Sequence, residues 1–258
     1  MRLIWVYVRL GALNELQYQA NFYIQVLQSL LALGTGLGGL WIVFAHTDSL
    51  NGWRGSELLA LLGIYLLVGG LVNLVIQPGL QRFLELLRLG TLDFTLTKPA
   101  DAQLLVSVGQ INLWKLVDVA VGVGVLVIAL VQLGAGIGAG QAFAFAVALV
   151  TGSATIYSFW LILASAAFWF VRIENIFVIF QSMYEAGRWP VAIYPPALRA
   201  TLTFLVPVAF ATTVPAEALT GRLTPTTLLG SIALAISLLI ASRRLWLIGV
   251  RHYSGASA

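Results

Sequence analysis

Few side chains in this 258-residue chain could carry chemistry, and their spacing restricts them further. There are no cysteines, which excludes disulfides, thiolate metal sites and cysteine nucleophiles. The two histidines, His46 and His252, are expected on opposite sides of a membrane, where they could not share a metal. No His-Glu-x-x-His pair is present, and Ser153, next to Gly152, has no histidine spaced to activate it. A small residue in a helix–helix contact accounts for Ser153. No Gly-x-x-x-x-Gly-Lys-Ser/Thr phosphate loop occurs, so the chain is not expected to hydrolyse nucleotide itself. Lys115 and Asp118 sit three apart on one helix face, at the start of an apolar run. They read as a local ion pair with snorkelling rather than as a proton relay, because the spans lack further buried acids.

The elements that would position these groups follow from composition. Charged residues make up 9% of the chain, against about 25% in soluble domains. Hydrophobic residues reach 60% and the mean hydropathy is +0.94. A soluble fold could not cover that much apolar surface, so a soluble enzyme, a nucleic-acid-binding domain and a disordered chain are excluded. The expectation is a single all-α integral membrane domain over residues 1–258. Helical spans need about 20 apolar residues each. Six are expected, at about 22–45, 58–76, 116–133, 143–171, 198–214 and 228–247, the fifth containing Pro207. With both termini cytoplasmic, 12 of the 14 Lys and Arg fall inside, leaving only Arg54 and Arg222 outside. Arg172, Arg188 and Arg199 belong to the inner set, and a fifth span over residues 174–193 is disfavoured because it would put Arg172 and Arg199 on opposite sides. Residues 1–21, mixing Trp5, Tyr7 and Tyr18 with Arg2, Arg9 and Glu15, read as an interfacial helix or an extension of the first span. Gly34 and Gly38 form a Gly-x-x-x-Gly pair, a weak signal of close packing.

Outer loops are short, and the two cytoplasmic segments are richer. In QPGLQRFLELLRLGTLDFTLTKPADAQ, the residues Leu80, Phe83, Leu84 and Leu87 line one face, with Gln81, Arg82, Glu85 and Arg88 on the other. Gly90 stops that helix, and Pro99 blocks continuation through Lys98. A short amphipathic helix lying on the membrane is expected over residues 80–89, either merely interfacial or a lever for a cytoplasmic motor. In RIENIFVIFQSMYEAGRWPVAIYPPALR, the residues Gly187, Pro190, Pro195 and Pro196 forbid a continuous helix, so the stretch should lie in the interface or re-enter partway.

The combination resembles the permease subunits of ABC exporters, in particular the bacterial type-two group without a fused ATPase domain. The residues that carry the resemblance are Gly90, Asp93, Leu96, Lys98 and Pro99 in LGTLDFTLTKPAD. A second block is Glu185, Pro190, Tyr194 and Pro195, then Leu205 and Pro207, then Pro215 and Ala216, before a basic, aromatic, small-residue ending RHYSGASA. The resemblance implies residence in the bacterial cytoplasmic membrane and pairing with a second permease, often a different paralogous chain. It implies a separate ABC ATPase subunit that carries the ATP and Mg, with no cofactor in this chain. It also assigns Leu80, Arg82, Phe83, Leu84, Glu85, Leu87 and Arg88 to the helix that couples to that ATPase. A secondary transporter or channel, and an intramembrane enzyme, are the competing functions. Scarce intramembrane charge counts against the first, and the missing nucleophile–base pair against the second.

Overall fold

A computed structural model describes residues 19–134, 137–170 and 176–253. The segment expected to be interfacial at 1–21 lies almost wholly outside the described residues. Arg2, Arg9 and Arg172 and the last residues of the chain do so too. Among the described residues all regular structure is helical, apart from one isolated bridge between Leu50 and Trp53. In hydrocarbon a backbone must satisfy its own polar groups, and an α-helix does so within one segment.

Among the described residues, five helices are long and apolar enough to cross a membrane, or up to six if one bent pair counts as a span. The chain is thus a multi-pass membrane protein. Helix α1 is Gln19–Phe44. Helix α2 is Gly55–Arg88, 34 residues with a π turn at Val72–Ile76. Short helices α3 (Asp93–Leu96) and α4 (Ala102–Ser107) follow. Next come α5 (Leu116–Leu133), α6 (Ala139–Ser165) and α7 (Ile176–Tyr184). The chain continues through α8 (Pro196–Ala200), α9 (Val208–Ala211) and α10 (Thr213–Leu219) to α11 (Pro225–His252).

The separate helix expected over residues 80–89 is instead the end of α2. Pro78 has no N–H for the carbonyl of Leu74, which would normally weaken the helix there. That carbonyl accepts the Asn112 N–H at 2.9 Å, and the π turn absorbs the local distortion. The helix therefore runs on to Gly90, whose φ of +68° ends it. At 1.5 Å per residue α2 is about 51 Å long, against about 30 Å of hydrocarbon. Its last turns project past the membrane and, with α3 and α4, form an arm.

Helices α2 and α5 pack along their length. A Cβ on Gly63 would stand 2.7 Å from the Leu126 nitrogen, and one on Gly70 would stand 2.8 Å from the Val119 nitrogen. Gly122 answers from α5 against Leu67. Small residues let the two backbones approach, as membrane helix pairs require. The Gly34–Gly38 pair is not used in this way: a Cβ at either position would meet nothing within 4 Å. Gly152, beside Ser153, is the contact residue of α6, set against the Phe210 carbonyl.

The largest departure from expectation is the course of residues 176–219. Phe177 stacks on Trp160 near the arm end of α6, and Phe180 meets the same ring edge-on. Tyr184 stacks on Tyr65, halfway along the membrane part of α2, and the Trp189 ring reaches Gly39 near the far end of α1. This segment therefore climbs most of the way from the arm end to the opposite end. Arg199 donates to the Ala192 carbonyl at 2.6 Å, and the Val191 N–H reaches the Thr213 hydroxyl at 3.4 Å. Pro196–Leu205 and Val208–Leu219 are bent by 69° at Val206–Pro207, so the straight span expected at 198–214 is replaced by a broken pair. The cause is Pro207, without an N–H, after an extended Val206. Arg188 and Arg199 consequently leave the arm-side set in which they were expected. Among the described residues, the bias of the remaining basic side chains toward the arm end survives their removal.

Candidate functional site

The arm holds the first group of expected residues. Leu80 and Phe83 are fully buried, and Leu84 and Leu87 are half-buried against the same core. The Phe83 ring lies 5.0 Å from that of Trp246 and 5.4 Å from that of Phe168. Gly79 abuts the Ser107 carbonyl of α4. The apolar side of this helix is thus filled by its own chain, which fixes the arm to α6 and α11. Arg82, Glu85 and Arg88 are exposed on the other side, as their pattern requires, and Arg82 pairs with Glu85 at 2.7 Å. Beyond Gly90 the Thr91 N–H returns to the Leu86 carbonyl at 2.9 Å, closing the turn. Phe94 projects from the tip at 75% exposure, with exposed Lys98 and Pro99 nearby in sequence. Asp93 accepts the Thr97 hydroxyl on its carbonyl.

Asp101 closes the arm. It caps α4 by accepting the Leu104 N–H at 3.0 Å, and it receives Arg243 of α11 on both oxygens. Arg243 also donates to Gln103 at 2.9 Å. The Arg243 hydrogen bond, acting against partial burial, holds the Asp101 carboxyl below its ordinary value. At the opposite end Arg222 forks onto Glu57 at 2.8 and 3.0 Å, donates to the Gly52 carbonyl and covers the Trp53 ring. The two clasps tie distant parts of the chain at its two ends. No local sequence signal pairs residues more than a hundred positions apart.

The second expected block holds the turn after α7. The Tyr194 hydroxyl donates to the Ala186 carbonyl at 3.0 Å, bringing Glu185 and Tyr194 into one compact loop around buried Pro190. Pro195 precedes α8, and Pro215 and Ala216 are buried in α10. Leu205 is exposed.

Sequence reasoning missed the polar cavity that this loop helps to enclose. It measures about 210 Å³ and lies between α1, α2, α5 and α7. Asp118 is its anchor, paired with Lys115 at 3.3 Å and accepting Gln25 at 3.0 Å and Ser29. The expected local ion pair is present, but it also ties α1 to α5. Gln25 and Ser29, four apart on α1, are the buried polar positions that could have signalled this. Gln28, Asn73 and Gln181 add amides to the wall, and Glu185 and Arg188 reach it from the loop after α7. The guanidinium of Arg188 lies 5.3 Å over the Tyr65 ring.

Among the described residues no group of three or more His, Cys, Asp or Glu could hold a metal. His46, in the turn just past α1, and His252, at the end of α11, each face a carbonyl four residues back, at Ile42 and Ile248. The sequence model of the ABC-2 family transporter proteins matches residues 30–257. No curated protein and no solved structure matches.

Proposed function

We propose, from the premise that this chain belongs to the ABC-2 family of transporter proteins, that it forms half of an ATP-driven export pathway and draws its energy from a separate ATPase subunit. The observation that carries this reading is the family match over residues 30–257, joined to an arm that continues a spanning helix without a break. A push on the arm tip would pass along α2 to α5 through the glycine crossing. It would also pass to α6 and α11 through Phe83, Phe168 and Trp246, and through Asp101 and Arg243. A rigid connection of this kind suits ATP-driven switching between two packed states.

In this reading the partner docks on the exposed side, Arg82, Glu85 and Arg88, and on Phe94 at the tip. Leu80, Phe83, Leu84 and Leu87 fix the arm to the domain instead. The ATP and Mg belong to the partner, and this chain is a non-catalytic subunit without a cofactor. A second permease, a paralogue or another copy, completes the path. The arm faces the cytoplasm of a bacterial cell and both termini lie on that side, as the basic bias requires. Residues 176–194 then make the fifth crossing, and the bent pair dips in from the outer side and returns to it at Arg222. Residues 1–258 act as one transmembrane domain.

The test is capture of the ATPase subunit by the full chain and its stimulation. Glu85→Arg and Arg88→Glu should insert and express normally yet lose capture or stimulation. A reversed charge at a desolvated contact costs about 2–5 kcal/mol, against about 0–1 kcal/mol in water. Full assembly and transport in both variants would overturn the docking assignment.

A further inference from the structure

The polar cavity between α1, α2, α5 and α7 has a charge arrangement that restricts its ligand. Four charged side chains face it: Lys115, Asp118, Glu185 and Arg188. They balance, two against two. Inside a membrane domain, a ligand with net charge would leave one charge uncompensated, at a cost of several kcal/mol. The ligand is therefore net neutral. The first two groups are already occupied, because Asp118 takes Lys115, Gln25 and Ser29. Glu185 and Arg188 are not occupied in that way. They stand three apart on one turn and close no direct ion pair, although the Glu185 charge acts on Arg188 across the gap. Glu185 accepts no hydrogen bond among the described residues, and Arg188 meets only Tyr65, at its ring and its hydroxyl, besides the more distant charge of Glu185. An acid and a base that face one space without closing an ion pair invite a ligand carrying both opposite charges.

We propose that this cavity is a binding site for a compact zwitterion, its cationic group on Glu185 and its anionic group on Arg188. Gln28, Asn73 and Gln181 would satisfy its remaining polar atoms. A volume of about 210 Å³ equals the space of about seven waters, which fits a headgroup-sized moiety and not a whole lipid. Ala32 and Leu66 give the wall an apolar side along which a tail could leave. A zwitterionic phospholipid headgroup and a free zwitterion share this chemistry.

Native mass spectrometry of the full chain in neutral detergent tests the site with four probes. These are short-chain phosphatidylethanolamine, short-chain phosphatidylglycerol, an uncharged alkyl glycoside and free phosphoethanolamine. The zwitterionic lipid should bind saturably, roughly tenfold or more tighter than the anionic and uncharged amphiphiles, the scale of one charge-assisted hydrogen bond. Glu185→Gln and Arg188→Gln should each remove that preference. Glu185 is exposed, so its variant keeps the test sound if the Arg188 variant does not fold. Free phosphoethanolamine binding as well as the lipid would assign the site to a soluble zwitterion, and weaker binding would assign it to a lipid headgroup. Equal binding of the anionic or uncharged amphiphile would overturn the proposal, as would an unchanged preference in the variants. Binding is read without an ATPase, so its failure leaves the permease reading standing, and failed ATPase capture leaves this site standing.

Discussion

Truncating Phe83 to alanine separates two roles that one amphipathic helix could play. Its ring is fully buried against Phe168 and Trp246, at centroid distances of 5.4 and 5.0 Å. Phe→Ala in a packed core costs about 3–5 kcal/mol, and an aromatic pair supplies about 0.5–1.5 kcal/mol of such a loss. The expected result is a large fall in thermal stability of the permease purified alone, before any partner is present. A double-mutant cycle of Phe83→Leu and Trp246→Leu, followed by detergent-solution melting, should return a coupling energy of about 0.5–1.5 kcal/mol. Glu85→Arg should leave that melting curve nearly unchanged, since its pair with Arg82 is half exposed and worth about 0–1 kcal/mol. If Phe83→Ala melts like the parent and instead loses ATPase capture, the apolar side is a docking face and the packing account of the arm is wrong.

The glycine crossing makes a second prediction: Gly122→Val should disrupt the α2–α5 pair and prevent a folded monomer, whereas Gly34→Ala and Gly38→Ala should leave monomer melting unchanged. Size-exclusion profiles after heating would decide it, and a stable Gly122→Val protein would refute the close approach. The Asp101–Arg243 clasp predicts a pH effect. Because the folded carboxyl is held low, its stabilisation is present above the unfolded value of about 3.9 and is lost as pH falls through the lower folded value. Both partners are more than a third exposed, so the contribution is at most about 1 kcal/mol, and Asp101→Asn should flatten that part of the melting-versus-pH curve. A steeper acid dependence in Asp101→Asn would contradict the assignment. The course of residues 176–219 predicts that a lone cysteine at Ala197→Cys reacts with an impermeant thiol reagent from the outer side. Labelling only from the cytoplasmic side would restore the straight fifth span.

The parts of the fold that could be read from the sequence are those governed by near neighbours. The apolar runs gave the helices of five of the six expected spans to within a few residues, apart from the extension of the second. The two-sided pattern of residues 80–88 and the stop at Gly90 also stand. The rest depends on partners far away in the chain. The passage of α2 through Pro78 depends on Asn112, which supplies the N–H that the proline lacks. Lys115 and Asp118 were legible as a pair, while their ties to Gln25 and Ser29 needed the packing of α1. The residues after α7 were read as cytoplasmic because their arginines favour that side. The guanidinium of Arg188 instead meets the Tyr65 ring, and that of Arg199 meets the Ala192 carbonyl. Such local partners permit a cation where the span-level charge rule places none.

The central claim is that the arm tip is where a separate ATPase engages this permease. The chain contains no cysteine, so Phe94→Cys places a single thiol at the exposed tip. A bifunctional crosslinker applied to membranes holding the permease and its ATPase should join position 94 to the ATPase subunit. The yield should change between nucleotide-free and ATP-bound conditions, and Asp48→Cys in the opposite loop should give no such product. Absence of the product at position 94 in complexes that still transport would contradict the account.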